Sequence, residues 1–168
     1  MIGTNPFVYA ACHTLASGFR ETAPAKDFKA RGLGNFQSAL GVRCLRNADA
    51  LFMARYRNGI ALLHGLSGAQ GLRLPAIGPD ILPVFNRLPL LFEDERILEL
   101  AQKKLWRNGI ESSFMYVKPL HHMFDLGYDR DDFPNSRFLA DRLLTLPVHP
   151  GVQGCDINTM IETIRGLI

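Results

Sequence analysis

The residues whose types and spacing could support chemistry gather between positions 112 and 149. Tyr116 lies at the end of a short run that reads as a strand, and His121 follows beyond Pro119. A phenol, an imidazole and exposed backbone could converge there, as the few polar groups of a binding cleft do. The plainer alternative, which the spacing alone favours, is a half-buried core tyrosine followed by a loop histidine.

Metal binding has a weaker signal in the same stretch. His121, His122 and His149 suggest an imidazole site, but adjacent histidines rarely point at one ion and no cysteine or carboxylate stands at a ligand spacing. The acidic cluster Asp125, Asp129, Asp131 and Asp132 lacks the residue order of a calcium loop, so it is typical of a solvated turn. We therefore expect no metal site.

Covalent catalysis and cofactor binding find little support in the residues. Ser112 and Ser113 lack the Gly-x-Ser-x-Gly setting of an activated serine, and Cys44 falls inside a predicted helix. A Schiff-base lysine needs a desolvated pocket. None of the lysines has an apolar neighbourhood that predicts one; they are Lys26, Lys29, Lys103, Lys104 and Lys118. The sequence thus predicts no catalytic and no cofactor-binding residue.

The bulk composition is that of one globular domain with an extension. The chain has 168 residues, of which 47% are hydrophobic and 21% charged. Its charge of +3 is scattered, and no aromatic ladder interleaves the arginines of the 43–57 segment, which argues against nucleic-acid binding. Three cysteines without a CxxC pair indicate reduced thiols and a cytoplasmic location. No apolar run is long enough for a membrane span.

The first half of the chain is predicted to contain an extension and one long helix. Residues 1–34 carry a possible short helix and then a Pro- and Gly-containing loop. From residue 35 to residue 64 apolar residues recur at spacings of three and four, which predicts a connecting helix. Exposed residues of this helix, such as Phe52, Met53 and Ile60, could contact a second copy or another partner.

The second half alternates short strands with helices. A strand over 82–92 contains two prolines, which predicts an edge position or a bulge. A helix follows that Asp94 caps and Asn108-Gly109 ends, and a last helix is expected to begin at Asp156. Further strands are predicted at 113–117 and 144–148, with a helix over 134–144 between them. The fold class is therefore α+β, with a small three-stranded, mostly antiparallel sheet covered by helices.

One block has the order and spacing of a known family. Asn108-Gly109-Ile110 ends a helix, the segment Met115-Tyr116-Val117-Lys118-Pro119-Leu120-His121 follows, and Phe133-Pro134-Asn135 precedes a stretch that ends Leu146-Pro147-Val148-His149-Pro150. With the final helix, this block resembles the C-terminal part of the DegT/DnrJ/EryC1/StrS family of PLP-dependent sugar aminotransferases. The resemblance extends upstream to about residue 33.

The resemblance implies the small domain of a fold type I enzyme, preceded by its connecting helix. Such enzymes are usually homodimers that move an amino group from glutamate to a keto-sugar nucleotide. The family's large domain carries the cofactor lysine and the acidic partner of the pyridine nitrogen, and neither has a counterpart here. Family members often have an Asn that reaches the PLP phosphate of the neighbouring subunit. The matching position in this chain is Gly32, which has no side chain for that contact. Tyr116, Pro119 and His121 match the segment that borders the family's cleft, although Val117 replaces its first proline.

The expected function follows from this resemblance. The chain would be the C-terminal portion of an aminotransferase-like protein acting on keto-sugar nucleotides in polysaccharide or sugar biosynthesis, and it would not be catalytic alone. PLP would bind only when the missing lysine-bearing domain is supplied. The expected partners are a second copy, as in a homodimer, or a separate large domain. The substrate side of the cleft would include Tyr116, Pro119 and His121. The alternative is a non-catalytic dimerisation or binding module that reuses the scaffold.

Overall fold

The computed structural model describes residues 32–116 and 118–168. The short helix predicted near the N-terminus and the position Val117 lie outside the described residues. The chain divides into two compact units, residues 1–39 and 40–168, and the second unit contains the sheet and the hydrophobic core.

The described elements alternate helices with short strands. In chain order they are α1 (Asn35–Arg46), α2 (Ala48–Leu66), β1 (Leu72–Arg73), β2 (Arg87–Phe92), α3 (Glu95–Arg107), β3 (Ser113–Phe114), α4 (Leu120–Met123), α5 (Pro134–Arg142), β4 (Leu143–Pro147) and α6 (Gly154–Arg165).

The predicted long helix is two helices divided at Asn47. This residue has φ −112° and ψ 12°, outside helical geometry, and its side-chain Nδ2 donates to the carbonyl of Arg43 at 3.3 Å. An asparagine side chain that bonds nearby backbone competes with the helix ladder, which explains the break. Ile60, predicted to be exposed, packs against the core instead, whereas Phe52 and Met53 are exposed.

The sheet has four antiparallel strands in the order β1-β2-β4-β3, so the prediction of three strands was wrong. The missed strand is β1, which pairs Leu72 with Phe92 and Arg73 with Leu91. Two residues are too short a stretch to show the period-two alternation by which a strand is recognised in a sequence.

Strand β2 lies inside the sheet, although the two prolines of the longer predicted strand (82–92) indicated an edge or a bulge; only Pro89 falls within β2. The N–H of Glu93 donates to the carbonyl of Gly71 at 2.9 Å, on the β1 side of the strand. Because backbone groups alternate sides along a strand, the nitrogen of Pro89 faces the same side, beyond the last β1 partner, Arg73. Pro89 therefore costs the sheet no ladder hydrogen bond, and its residue pairing with Thr145 is retained.

One hydrophobic core joins the sheet to helices α2, α3 and α6. Leu88, Leu90 and Phe92 alternate along β2 and are fully buried. They belong to one cluster with Leu144 and Leu146 of β4 and with buried residues of the three helices, namely Leu62, Leu66, Leu98, Leu105, Met160 and Ile164. This cluster fixes the strand ends from which the candidate site extends.

The predicted helix ends are confirmed around α3 and shifted at α6. Asp94 accepts the backbone N–H of Arg96 at 2.7 Å, and Gly109 has φ +77°, the left-handed conformation expected of a helix stop. At α6 the cap is Gln153, and Asp156 occupies the third helical position, where it accepts the N–H of Gln153 at 2.8 Å. Asp156 is thus the acidic half of a capping box rather than the cap.

Candidate functional site

The predicted site residues lie on the connection between β3 and β4. Strand β3 ends at Phe114, earlier than predicted, and Tyr116 follows it with 51% of its surface exposed. Pro119 is buried and caps the single turn of α4, in which His121 is half-buried. We call residues 118–133, which follow Tyr116 and lead to α5, the excursion.

His121 contacts other residues of the excursion. Within the described residues its ring meets the ring of His122 edge-on at 4.3 Å and the ring of Phe133 at 5.3 Å. Phe133 has φ +56°, a left-handed conformation that bulky residues rarely adopt, and Tyr128 packs edge-on against it at 4.9 Å. The structure therefore groups His121 with two neighbouring aromatic residues, while Tyr116 lies near the start of the segment.

Hydrogen bonds join residues of the excursion to one another. His122 Nε2 lies 2.7 Å from the carbonyl oxygen of Arg130, and because a carbonyl only accepts, Nε2 carries the proton. The N–H of Asp129 donates to the Asp132 carboxylate at 2.9 Å. The acidic cluster is thus built into a turn, as its residue order predicted.

Two buried polar atoms have no hydrogen-bond partner among the described residues: His121 Nε2 and Ser112 Oγ. Such atoms are uncommon because each unmade bond costs free energy. Ser112 was considered only as a nucleophile in the sequence, and its burial shows that it lies under the surface at the base of β3. Within the excursion, His121 Nε2 is the buried side-chain atom that lacks a hydrogen bond. A local rearrangement or a bound group would supply a partner for it.

A network across three strands supports the base of the excursion. Arg87 of β2 donates from Nε to Thr145 Oγ1 at 2.9 Å and from Nη2 to the carbonyl of Glu111 at 2.8 Å. Thr145 Oγ1 in turn donates to the carbonyl of Ser113 at 3.0 Å. Sequence reasoning missed this network, although a threonine in the leucine-rich run of β4 was a usable signal.

Metal binding has no support in the described part of the chain. Across residues 32–116 and 118–168, no group of three or more His, Cys, Asp or Glu side chains could hold a metal ion. His149 has a local role, because its Nδ1 accepts the N–H of Gly151 at 3.1 Å. No described helix is long and apolar enough to cross a membrane.

The lysines of the described part do not fit a PLP site. Lys103 pairs with Glu99 at 3.4 Å on the surface of α3, and Lys104 and Lys118 are exposed. A lysine that forms a Schiff base needs a pocket that excludes water and thereby favours the uncharged, nucleophilic amine. None of these three positions provides one, and the remaining lysines lie outside the described residues.

Comparison with known proteins gives related sequences and a shared fold. The chain is 25% identical over 143 residues to the uncharacterised protein MJ1066 of Methanocaldococcus jannaschii. It is 25% identical over 144 residues to the spore coat polysaccharide biosynthesis protein SpsC of Bacillus subtilis. Each match covers 80% of this chain but 36% of the relative, so the chain spans about a third of the length of these relatives.

The fold is shared with proteins of known structure. One is the sugar aminotransferase CalS13 from Micromonospora echinospora, with a TM-score of 0.69 at 21% identity, over 96% of this chain and 45% of CalS13. S. venezuelae DesV, solved in complex with a ketimine intermediate, superposes with a TM-score of 0.72 at 22% identity, over 96% of this chain and 44% of DesV. At this identity the match shows the fold.

The sequence profile of the DegT/DnrJ/EryC1/StrS aminotransferase family matches residues 18–165, which is most of the chain and includes the strands, the excursion and α6. The chain therefore belongs to the DegT/DnrJ/EryC1/StrS aminotransferase family.

Proposed function

We propose that this chain is the C-terminal, small-domain portion of a PLP-dependent aminotransferase that acts on keto-sugar nucleotides, and that it does not transfer amino groups by itself. The family match over residues 18–165 carries the proposal. The match to only 36% of the curated relatives supports the small-domain part of it. The exposed lysines of α3 support the lack of activity.

In this proposal the chain contributes one wall of the cleft. Tyr116, Pro119 and His121 face the substrate side, and the lysine and the PLP phosphate site are contributed by the family's large domain. PLP supplies the electron sink for amino transfer when it is bound there. The part of this chain is to hold the sugar nucleotide, with the Arg87–Thr145 network keeping the cleft wall in place. Reduced cysteines agree with action in the cytoplasm.

The experiment is reconstitution of activity from two parts. The first part is the 168-residue chain. The second is the portion of SpsC that this chain does not match, which the family pattern expects to carry the lysine. Glutamate, PLP and a keto-sugar nucleotide are supplied, and formation of 2-oxoglutarate is measured with each part and with the mixture. We expect turnover only in the mixture, after sizing shows that the two parts have combined.

Variants of the wall separate substrate binding from assembly. Tyr116→Phe and His121→Gln, tested in the combined parts, are expected to raise the KM for the sugar nucleotide several-fold and to leave the KM for glutamate unchanged. Lys104→Glu on the outer surface of α3 serves as the control and should change neither. Turnover by the chain alone, or wall variants that behave like the control, would contradict the proposal.

A further inference from the structure

The two adjacent histidines of the excursion differ in what their Nε2 atoms do. Both rings are half-buried. His122 Nε2 is hydrogen-bonded to the carbonyl of Arg130 at 2.7 Å, whereas His121 Nε2 is buried and has no partner among the described residues. A buried nitrogen that makes no hydrogen bond costs the folded chain free energy. His121 is therefore held in a state that a hydrogen-bonding group would improve.

The aromatic ring of Phe133 lies against this imidazole. The two ring centroids are 5.3 Å apart and the rings meet edge-on at 66°. Tyr128 packs on Phe133 in turn, with its ring centroid at 4.9 Å. Phe133 is still 48% exposed, so its ring is only partly held in place and can leave without opening the hydrophobic core.

The backbone of Phe133 is strained where this contact is made. Among the described residues, Phe133 is the non-glycine residue with a positive φ, at φ +56° and ψ +58°. The left-handed region is unfavourable for a side chain with a Cβ, and a large ring is rarely found there. The carbonyl of Phe133 accepts the N–H of Ser136 at 2.9 Å and that of Arg137 at 3.3 Å, so the start of α5 helps to hold this conformation. Strain of this kind gathers at functional sites.

The residue that follows, Pro134, gives Phe133 a second conformation. A residue before proline is pushed toward the extended region of the backbone. A change of Phe133 from left-handed to extended would relieve its strain and turn its side chain in a new direction, away from the imidazole. The closed arrangement thus combines a strained backbone with an unmade hydrogen bond, and the open arrangement removes both costs but loses the ring contacts.

The chemistry of Nε2 indicates which group takes the place of the ring. In a neutral imidazole Nε2 either donates or accepts, depending on the tautomer, and a hydroxyl can do the opposite in each case. A hydroxyl is therefore a suitable partner in both tautomers, and a sugar presents several of them.

We propose that Phe133 is a latch over His121: its ring closes off Nε2 in the free chain and moves aside when a hydroxyl of the bound sugar takes up that nitrogen. The hydroxyl part rests on the proposed function, whereas the closing of Nε2 by the ring does not. The latch makes the chain pay an opening cost before the sugar binds, because only the open fraction is competent.

The first test measures by NMR how open the Nε2 edge of His121 is to solvent. A neutral gadolinium chelate is added to the isotope-labelled full chain, and paramagnetic relaxation is measured at the ring Cδ2–H, which adjoins Nε2. In the wild type this proton of His121 should relax several-fold more slowly than that of His64, whose side chain is exposed on α2. Phe133→Gly removes the ring and fits a left-handed backbone without strain. It should raise the relaxation of His121 several-fold and leave His64 unchanged.

Two further variants control for the loss of an aromatic ring. Phe138→Ala removes a ring of α5 that lies 4.7 Å from the Arg142 guanidinium, and it should leave the relaxation of His121 unchanged. Phe133→Ala removes the latch ring without adding a glycine, so it should open His121 as Phe133→Gly does. Far-UV circular dichroism checks that each variant is folded.

The second test uses the combined parts of the reconstituted enzyme. Phe133→Gly should lower the KM for the keto-sugar nucleotide several-fold, because the opening cost is gone. Combined with His121→Gln, the same change should bring no gain, and Phe138→Ala should leave the KM unchanged.

Each outcome decides one part of the proposal. A His121 ring as open as that of His64 in the wild type, or one that stays closed in Phe133→Gly, would overturn the latch. A KM that Phe133→Gly does not lower, or that it lowers equally without the imidazole, would overturn the role of Nε2 in holding the sugar. Wild-type parts that combine but show no turnover would contradict the proposed function, and the NMR comparison would still decide the latch.

Discussion

At the scale of single residues, the buried hydroxyl of Thr145 connects three strands of the sheet. Thr145 is 2% exposed, and its hydroxyl both accepts from Arg87 and donates to the Ser113 carbonyl. These bonds join β2, β4 and β3 at the point where the excursion begins. A threonine at this position is therefore required for its hydroxyl as well as its shape.

Replacement of Thr145 by valine tests this role. Thr145→Val keeps the shape but leaves Arg87 Nε without its acceptor, so we expect a loss of about 1–3 kcal/mol in the free energy of unfolding. Thr145→Ser keeps the hydroxyl and loses one buried methyl group, which should cost only about 1 kcal/mol. Urea unfolding measures both variants, and a valine variant as stable as the wild type would show that the network contributes nothing.

The candidate site shows how far residue types alone can lead. The residue types and spacing of Tyr116 and His121 favour a half-buried tyrosine and a loop histidine. These two residues and Pro119 become candidates because they match the segment that borders the cleft of the family that the chain resembles. The burial of His121 Nε2 could not be foreseen, because it depends on contacts between residues that are distant in the sequence, such as the ring of Phe133, which lies 5.3 Å from the imidazole. Contacts of that kind arise from the path of the whole excursion.

At the scale of elements, strong local signals predicted the fold and weak ones did not. The cap at Asp94 and the stop at Gly109 were recognisable because each involves one residue and its near neighbours. Strand β1 was missed because two residues carry no period, and the break at Asn47 was missed because both flanking segments have helical spacing. Strand β2 lies inside the sheet because β1 pairs with its outer side. The wrong prediction of an edge position for β2 therefore followed from missing β1.

Two helical glycines differ in the space around them: Gly65 lies in a tightly packed contact and Gly41 faces open space. A Cβ at Gly65 would overlap the side chain of Ile161 in α6, whereas a Cβ at Gly41 in α1 would meet nothing within 4 Å. We expect Gly65→Ala to lower the free energy of unfolding by about 1–3 kcal/mol through overpacking. Gly41→Ala should raise helicity and stabilise by about 0.5–1 kcal/mol, because alanine is the better helix former.

Thermal unfolding followed by circular dichroism compares the two glycine variants. Both introduce the same methyl group into a helix, so the difference between them reports the packing of α2 against α6 alone. Equal effects at the two positions would mean that Gly65 is not a close-packing residue.

At the scale of the whole molecule, the described part of the chain combines one continuous hydrophobic core with apolar side chains that are exposed on its surface. The core of unit 40–168 is continuous from β2 to α6. Helix α1 and the excursion, by contrast, expose large apolar side chains, among them Leu45 and Leu120. Residues 40–168 thus pack around one core of their own, as expected of a domain.

The proposed function requires that this chain does not hold PLP by itself. The most direct measurement is to incubate the purified chain with PLP, reduce it with borohydride and map the labelled lysines by mass spectrometry of peptides. We expect only diffuse, substoichiometric labelling spread over the exposed lysines, among them Lys103, Lys104 and Lys118. Stoichiometric labelling of one specific lysine would contradict it, because the chain would then contain the Schiff-base site that the proposal assigns to the large domain.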